Sequence, residues 1–247
     1  MPLQKVLMLA VTKMHGGVCV AGMTTEPHPV TGLRWVRPAR EFGHVLLGDI
    51  TTDGGAVLRP FDVVALHFKN PCPDPPHTED CVVDFVRHRP RVARRLEGEP
   101  RAQFLEKYLD PAPQQVLDKQ QRSLCLVKPD SITGCYRLDG YSGKFKARMA
   151  FRIMGRTYRG AHASSGSYAK GGFSVTDLKW RALGRAWLPA DGGWVDFDEG
   201  DLEARYGIEE IYLAVGLTRS FQGEFWPIVV GVHTVPDFEA EVDYDNL

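Results

Sequence analysis

Basic and aromatic side chains share short stretches of this sequence, and together they can hold a phosphate and stack on a base. One such stretch contains Arg34, Trp35 and Arg37. Alternation along a strand places Arg34 on one face and Trp35 with Arg37 on the other. We therefore predict that Trp35 stacks on a base while Arg37 holds a phosphate. The alternative is that Trp35 fills the core and Arg37 makes a structural ion pair.

The turn at residues 12–17 contains Lys13, His15 and two glycines. Backbone N–H groups in such a turn can approach an anion, so Lys13 and His15 are candidate nucleic-acid contacts. The turn lacks the spacing of a phosphate-binding P-loop, and no Gly-x-Gly-x-x-Gly motif follows a strand. A plain hairpin turn is the alternative. No cofactor is expected.

The second half of the chain mixes basic and aromatic residues more densely. Candidate nucleic-acid contacts there are Lys144, Lys146, Arg148, Arg152, Arg156, Tyr158 and, nearer the C-terminus, Arg219. Apolar and basic residues alternate over 147–153, which predicts one buried face and one outward face with Arg148 and Arg152. The Gly- and Ser-rich residues 163–172 are typical of a mobile clamp on a single strand. A solvated basic surface is the alternative.

Charge is unevenly distributed, although the formal net charge is only -1. Residues 122–185 contain thirteen basic and three acidic side chains, a balance of +10. Residues 191–247 contain fourteen acidic and two basic side chains, a balance of -12. The basic segment indicates a surface for a polyanion. Alternatively, the two segments pack side by side and neutralise each other.

The sequence contains no recognisable catalytic motif: the Gly-x-Ser-x-Gly elbow, the His-Glu-x-x-His motif and the protein-kinase motifs are all lacking. Cys72, His77 and Cys81 do not have the spacing of a zinc site, so no metal is expected. We favour a binding module. A nucleotide- or nucleic-acid-processing hydrolase, with a site between two barrels, is the alternative. It would use His15 or His77 as acid–base and Arg219 as an anion clamp.

Short β-strands are the elements that must position these residues. Apolar or alternating runs recur about every 8 to 12 residues between turn residues, which favours small barrels. The clearest helical pattern lies within residues 99–116 and ends at two prolines. We predict a mainly β fold, with two OB-like small β-barrels in tandem and a few short helices. The predicted domains are residues 1–121 and 122–247, and one elongated sandwich is the alternative.

Composition indicates an ordinary globular protein, with 43% hydrophobic and 25% charged residues. No apolar run approaches the roughly 18 residues of a membrane helix, and the N-terminal apolar run lacks the flanks of a signal peptide. We expect a cytoplasmic protein without membrane contact. The five cysteines are an odd number at scattered positions, which predicts free thiols.

Several short segments together carry a family resemblance. They are residues 6–10, Lys13 with residues 15–17, residues 19–22 and 35–38 and, more weakly, residues 76–80, 175–177 and 213–217. These segments resemble the bacterial dual OB-containing domain family, although Thr78 and Asp80 depart from its pattern. The resemblance implies a nucleic-acid- or nucleotide-binding module, as a sensor or adaptor in bacterial defence, with single-stranded nucleic acid or a nucleotide as partner. A protein-interaction module with a partner encoded nearby is a further alternative.

Overall fold

The computed structural model describes residues 3–14, 16–26, 35–160, 172–190, 192–220 and 222–244. The chain forms two compact units. The first contains Met1–Phe104 and Gln114–Leu124, and the second contains Leu105–Pro113 and Cys125–Leu247. The chain therefore crosses between the units three times, whereas the sequence indicated one boundary after residue 121.

The described part of the first unit consists mainly of strands. These are β1 (Leu3–Met14), β2 (Gly17–Thr24), β3 (Trp35–Ala39), β4 (Asp62–Pro71), β5 (Asp80–Val83) and β6 (Arg91–Arg95). A short 3-10 helix (Leu47–Ile50) follows β3. Helix α1 (Gly98–Lys107) begins in the first unit and ends in the second, and α2 (Gln114–Leu117) lies in the first.

Five strands of the first unit close a barrel. The sheet follows the order β1-β2-β3-β5-β4, and β4 pairs again with β1. Strands β3 and β5 are parallel, and the other neighbours are antiparallel. A five-stranded barrel of this kind is the OB fold. Strand β6 pairs with β4 and takes no part in the closure.

The long apolar run at the N-terminus is buried on both faces of β1. Residues 6–11 are each at most 3% exposed. A Cβ atom at Gly22 would lie only 2.1 Å from the carbonyl oxygen of Leu7, so only glycine allows β2 to approach β1 this closely. The sequence signature of two-sided burial is a nearly continuous apolar run rather than an alternating one.

The second unit contains eight strands among its described residues, of which the first begins at the crossing. They are β7 (Leu124–Val127), β8 (Ser131–Leu138), β9 (Phe145–Ile153), β10 (Arg156–Tyr158), β11 (Phe173–Val175), β12 (Trp194–Asp198), β13 (Glu210–Leu217) and β14 (Pro227–Val235). Helix α3 (Leu178–Trp187) follows β11, and α4 (Glu199–Tyr206) follows β12.

The second sheet repeats the strand order of the first. Its path is β12-β8-β9-β11-β14-β13-β7, and β11 and β14 are parallel as β3 and β5 are. Strands β7 and β8 are separated by residues 128–130 alone, so they correspond together to one interrupted first strand. The path from β8 through β9, β11, β14 and β13 thereby returns to β7. The predicted fold class, mainly β with two OB-like barrels and a few short helices, is confirmed.

An aromatic cluster forms the core between α3 and the second sheet. Trp180 and Tyr136 are fully buried, and the Tyr136 ring stacks on Phe197 with 4.6 Å between centroids. A Cβ atom at Gly184 would lie 2.2 Å from the Tyr136 ring. Glycine at this position therefore allows α3 to pack directly on β8.

All five cysteines lie among the described residues, and each is a free thiol. Within the described ranges, no helix is both long and apolar enough to cross a membrane.

Candidate nucleic-acid interface

Strand β9 separates apolar and basic residues onto opposite faces. Its odd-numbered residues, 145 to 153, are all buried. Lys146 and Arg148 are half-buried and Arg152 is exposed on the other face. We call these three side chains the β9 basic face. The second strand of an OB barrel belongs to the surface that binds oligonucleotides, and β9 holds that position in the second unit.

Arg148 lies at the middle of the β9 basic face without a counter-charge. Its cross-strand neighbours are Cys135 on β8 and Ser174 on β11. Its guanidinium makes no hydrogen bond or ion pair with any residue that the structure describes. Burial and the nearby charge of Arg137 lower the pKa of Arg148 from its ordinary value. A half-buried cation of this kind would be stabilised by an anionic ligand.

Arg152 is the second unpaired cation of the face. It lies between Ser131 on β8 and Thr157 on β10, and its side chain has no hydrogen-bond or ion-pair partner in the described ranges. Arg148 and Arg152 are four residues apart on one side of the strand. At about 3.3 Å per residue they are separated by about 13 Å, so they would contact different phosphates of a bound strand.

Unlike Arg148 and Arg152, Lys146 is paired with an acidic residue of the loop between β8 and β9. The Lys146 ammonium group forms an ion pair with Asp139, which also accepts hydrogen bonds from the backbone N–H and hydroxyl of Ser142. The hydrogen bond from Lys146, followed by those from Ser142, holds the pKa of Asp139 well below its ordinary value. Lys144 is exposed beside this turn, and Tyr141 at its tip is fully exposed.

The loop between β13 and β14 contains an arginine, Arg219, and an aromatic residue, Trp226. Thr218 and Trp226 close this loop, because the Thr218 N–H donates to the Trp226 carbonyl at 2.9 Å and the Trp226 N–H donates to the Thr218 hydroxyl at 3.0 Å. Arg219 is exposed and Trp226 is half-buried. In OB folds, the loops after the first and fourth strands flank the binding surface.

The predicted pair Trp35 and Arg37 lies in the interior of the first unit. Trp35 is 6% exposed and Arg37 is 8% exposed. The Arg37 Nε donates to Asp80 Oδ1 at 2.6 Å, which is the structural ion pair that the sequence left as the alternative. Their burial leaves no surface for a base or a phosphate in this structure, so neither residue belongs to the interface described here.

The remaining predicted contacts are distributed over both units. Lys13 is exposed at the end of β1, whereas His15 and Arg34 lie outside the described residues. Tyr158 is buried and stacks on Phe151 with 5.6 Å between centroids, so its ring belongs to the core. Arg156 is exposed, and its guanidinium lies 5.1 Å from the centroid of the Tyr158 ring.

The acidic segment partly neutralises the basic one. Strand β12 pairs with β8, which places Asp196 beside Cys135, one strand further from Arg148. The Asp196 carboxylate accepts a hydrogen bond from the Trp194 indole N–H at 2.6 Å. Ion pairs at 3.1 and 2.9 Å also join the two segments, Lys128 to Glu210 and Lys179 to Asp237. These contacts leave Arg148 and Arg152 unpaired.

Two buried carboxylates have structural roles that the sequence did not reveal. Glu79 accepts hydrogen bonds from the backbone N–H and the hydroxyl of Ser123, at 2.9 and 3.0 Å. Asp177 caps α3 by accepting from the Trp180 N–H at 2.7 Å, and it also accepts from the Val232 N–H at 3.2 Å. An aspartate just before an amphipathic segment is a helix-start signal, and it could have indicated the Asp177 cap.

The histidines considered for acid–base chemistry are His15, which lies outside the described residues, and His77. His77 is fully buried. No group of three or more His, Cys, Asp or Glu residues that could hold a metal ion occurs among the residues that the structure describes.

The sequence matches a model of a known protein family. The family model for the dual OB-containing domain matches residues 4–169, which is more than half of the chain. The chain belongs to the dual OB-containing domain family. Membership in this family, together with the two barrels, indicates a module of the nucleic-acid-binding type. No curated protein and no solved structure matches the chain.

Proposed function

We propose that this member of the dual OB-containing domain family binds single-stranded nucleic acid through the β9 basic face. The observation that carries the proposal is Arg148, a half-buried cation without a counter-charge on the second strand of an OB barrel. Phosphate oxygens would supply the acceptors that the protein does not provide. Guanidinium groups bind phosphates in a bidentate manner, which suits this position better than a lysine would.

Two loops complete the proposed interface with aromatic rings. Tyr141 is fully exposed in the loop before β9, and Trp226 is half-buried in the loop before β14. The parallel pairing of β11 with β14 places the start of β14 beside the start of β11, which lies opposite Met149 at the middle of β9. The loop before β14 therefore lies on the side of the C-terminal end of β9, and the loop before β9 lies at its N-terminal end. Each stacked base contributes about 1–3 kcal/mol, so two rings add substantially to the phosphate contacts.

The direct test is fluorescence anisotropy of a labelled oligonucleotide with wild type and Arg148→Ala. Because hydrogen bonds to charged groups contribute about 1.5–3 kcal/mol, we expect the variant to bind at least about tenfold more weakly. Arg148→Lys keeps the charge but loses the bidentate geometry, so it should recover part of the affinity.

Arg205→Ala is the control for loss of one positive charge, since Arg205 is an exposed arginine of the second unit that lies on α4 against Trp187. It removes the same charge and should leave affinity nearly unchanged. Equal losses in both variants would indicate nonspecific attraction and contradict the proposed face. A mononucleotide that competes as well as the oligonucleotide would identify a nucleotide as the ligand instead. A wild type that binds neither at low salt would overturn the proposal.

The biological role that we propose is that of a sensor or adaptor in bacterial defence. This part of the proposal is supported by the family resemblance alone. Its test is whether cells lose phage resistance when the gene carries Arg148→Ala, with Arg205→Ala as the control. Equal resistance with both variants would contradict the role.

A further inference from the structure

The first unit has its own concentration of arginines, outside the basic segment of residues 122–185. Residues 87–95 contain five arginines and no acidic residue. Strand β6 lies at the end of this segment, and all five of its residues are exposed. It is the last strand of its sheet, with β4 as its single neighbour among the described residues. An exposed strand so rich in positive charge needs a physical explanation.

The register of β6 brings Arg91 and Arg94 onto the same side. Residues three apart in a regular strand point to opposite faces. Here Arg91 pairs with Ala65 and Arg94 pairs with Val63, because the register shifts by one residue between Val63 and Val64. Their two partners are separated by two residues of β4 and therefore share a face. The irregularity is a β-bulge, a feature that commonly re-aims side chains.

Lys5 extends this surface onto β1. It pairs with Ala65, which is also the partner of Arg91, so the three residues form one cross-strand row. With neighbouring strands about 4.8 Å apart, Lys5 and Arg91 are separated by about 10 Å on the same face. Lys5, Arg91 and Arg94 are all exposed. We call these three residues the β6 basic surface.

The arginines around this surface fall into two groups. Arg95 pairs with Asp62 at 2.8 Å and Arg89 donates to the Gly48 carbonyl at 2.6 Å, so both are held by the protein. The side chains of Arg91, Arg94 and Lys5 make no hydrogen bond or ion pair with residues that the structure describes. The fixed arginines anchor the segment, while the unpaired cations share one face.

Protection of a sheet edge is the simplest alternative explanation, because charged side chains on an edge strand prevent pairing with other chains. Edge protection works with charges of either sign and does not require the charged side chains to lie on one face of the strand. It does not account for a bulge that brings two unpaired arginines together. Arginine on one face is instead what phosphate recognition requires.

We propose that the β6 basic surface binds the phosphate backbone of nucleic acid without reading bases. The proposal rests on the proposed function for the class of ligand, but it uses a different unit and different residues. Lys5, Arg91 and Arg94 supply positive charge and hydrogen-bond donors for phosphates, but no aromatic ring on which a base could stack.

The test uses Arg91→Glu/Arg94→Glu and Arg91→Lys/Arg94→Lys in the full chain. The probe is a labelled oligothymidylate of about 20 nucleotides, which exceeds the site size of one OB fold. Affinity is measured by anisotropy at several salt concentrations. Since the salt slope falls by about 0.7 per lost phosphate contact on single strands, the double Glu variant should lose about 1.4 from its slope. The double Lys variant should keep the wild-type slope.

Lys119→Glu is the control for a single reversal, compared with Arg94→Glu, because Lys119 is exposed in the same unit and likewise unpaired among the described residues. Its slope should remain that of wild type. Size-exclusion chromatography and circular dichroism establish that each variant keeps the oligomeric state and fold of wild type. If the double Glu variant is folded and keeps the wild-type slope, the proposal is wrong and edge protection explains the arginines.

Arg148→Ala, measured in parallel, separates this proposal from the preceding one. A loss with Arg148→Ala but not with the β6 variants would overturn the β6 basic surface alone. A loss with the β6 variants but not with Arg148→Ala would overturn the β9 basic face alone. A wild type that does not bind the probe would overturn both.

Discussion

Arg37 and Arg148 show that the cross-strand partner of an arginine decides its role. Opposite Arg37 lies Asp80, and the two side chains form a buried ion pair at 2.6 Å. Opposite Arg148 lie Cys135 and Ser174, and neither is a carboxylate. A buried charge that loses its ion-pair partner is strongly destabilising, so Arg37 is needed to neutralise Asp80 within the fold. Arg148 remains available for a ligand, although both were equally good candidates in the sequence.

Asp177 should make stability depend on pH in the acid range. Burial raises its pKa from 3.8 to about 6, while the hydrogen bonds from the Trp180 and Val232 backbone oppose this shift. Because the folded state holds the proton more tightly, the contribution of Asp177 is complete below about pH 4 and is lost as the pH rises through 6. At about 1.4 kcal/mol per pKa unit, the loss amounts to about 3 kcal/mol.

The measurement is urea denaturation of wild type and Asp177→Asn at several pH values between 4 and about 7. The asparagine directs an N–H group towards a backbone N–H, which adds a destabilisation that does not depend on pH. The difference between the two proteins should therefore change with pH, with wild type losing relative stability as the pH rises. A difference that stays constant would show that Asp177 keeps an ordinary pKa in the folded state.

The elements that the sequence predicted are those with an apolar pattern of their own. Strands β1, β2, β4, β9 and β14 contain continuous or alternating apolar runs, the pattern from which the sequence predicts short strands. Strands β6 and β12 were missed because an edge strand with one neighbour buries little and needs few apolar residues. Helix α3 was missed although it is amphipathic and follows the Asp177 cap, so its pattern could have been predicted from the sequence.

The same reasoning explains which parts of the site were predictable. The outward position of Arg148 and Arg152 follows from alternation on β9, where one face is core and the other is open. Alternation could not decide the fate of Trp35 and Arg37, because β3 is buried on both faces. The unpaired state of Arg148 depends on β8 and β11, which are distant neighbours in sequence.

Helix α3 offers a test of its close packing on β8. Alanine is the better helix former, so Gly184→Ala would stabilise an isolated helix by about 1 kcal/mol. In the protein, the added methyl group would lie 2.2 Å from the Tyr136 ring. We expect a net destabilisation of about 1–3 kcal/mol, measured by urea denaturation, since overpacking of a tight core outweighs helix propensity.

Gly140→Ala is the control, because no atom lies within 4 Å of a Cβ built at that turn residue. It should change the free energy of unfolding by less than about 0.5 kcal/mol, as surface substitutions usually do. A Gly184→Ala variant as stable as wild type would mean that α3 shifts away from β8 without cost.

The whole molecule is nearly neutral, with a formal net charge of -1, yet its charges are locally separated. Affinity for a polyanion then depends on local surfaces and not on net charge, because charges further apart than about 10 Å are largely screened in physiological salt. The acidic residues of β12 and the ion pairs of Lys128 and Lys179 neutralise part of the positive charge of the basic segment. In the second unit, Arg148 and Arg152 of the β9 basic face remain without an ion-pair partner among the described residues.

Binding of oligonucleotide by wild type should therefore be salt-sensitive despite the net negative charge. Contacts from Arg148, Arg152 and Arg219 would contribute about -2 to the slope of log affinity against log salt, and the β6 basic surface would add about -1.4. Affinity should then fall at least about 20-fold between about 50 and 200 mM salt. Anisotropy titrations at constant pH measure this slope. An affinity that changes less than about threefold over this range would contradict binding through these phosphate contacts.

The threefold crossing of the chain between the two units has a consequence for any attempt to dissect the molecule. A fragment that ends at residue 121 lacks Ser123, which binds Glu79 within the first unit. It also carries Leu105–Pro113, including Asp110, whose N–H donates to the Leu126 carbonyl of the second unit. No single cut of the chain leaves both units with all of their residues, so neither barrel can be isolated intact as a simple N- or C-terminal fragment.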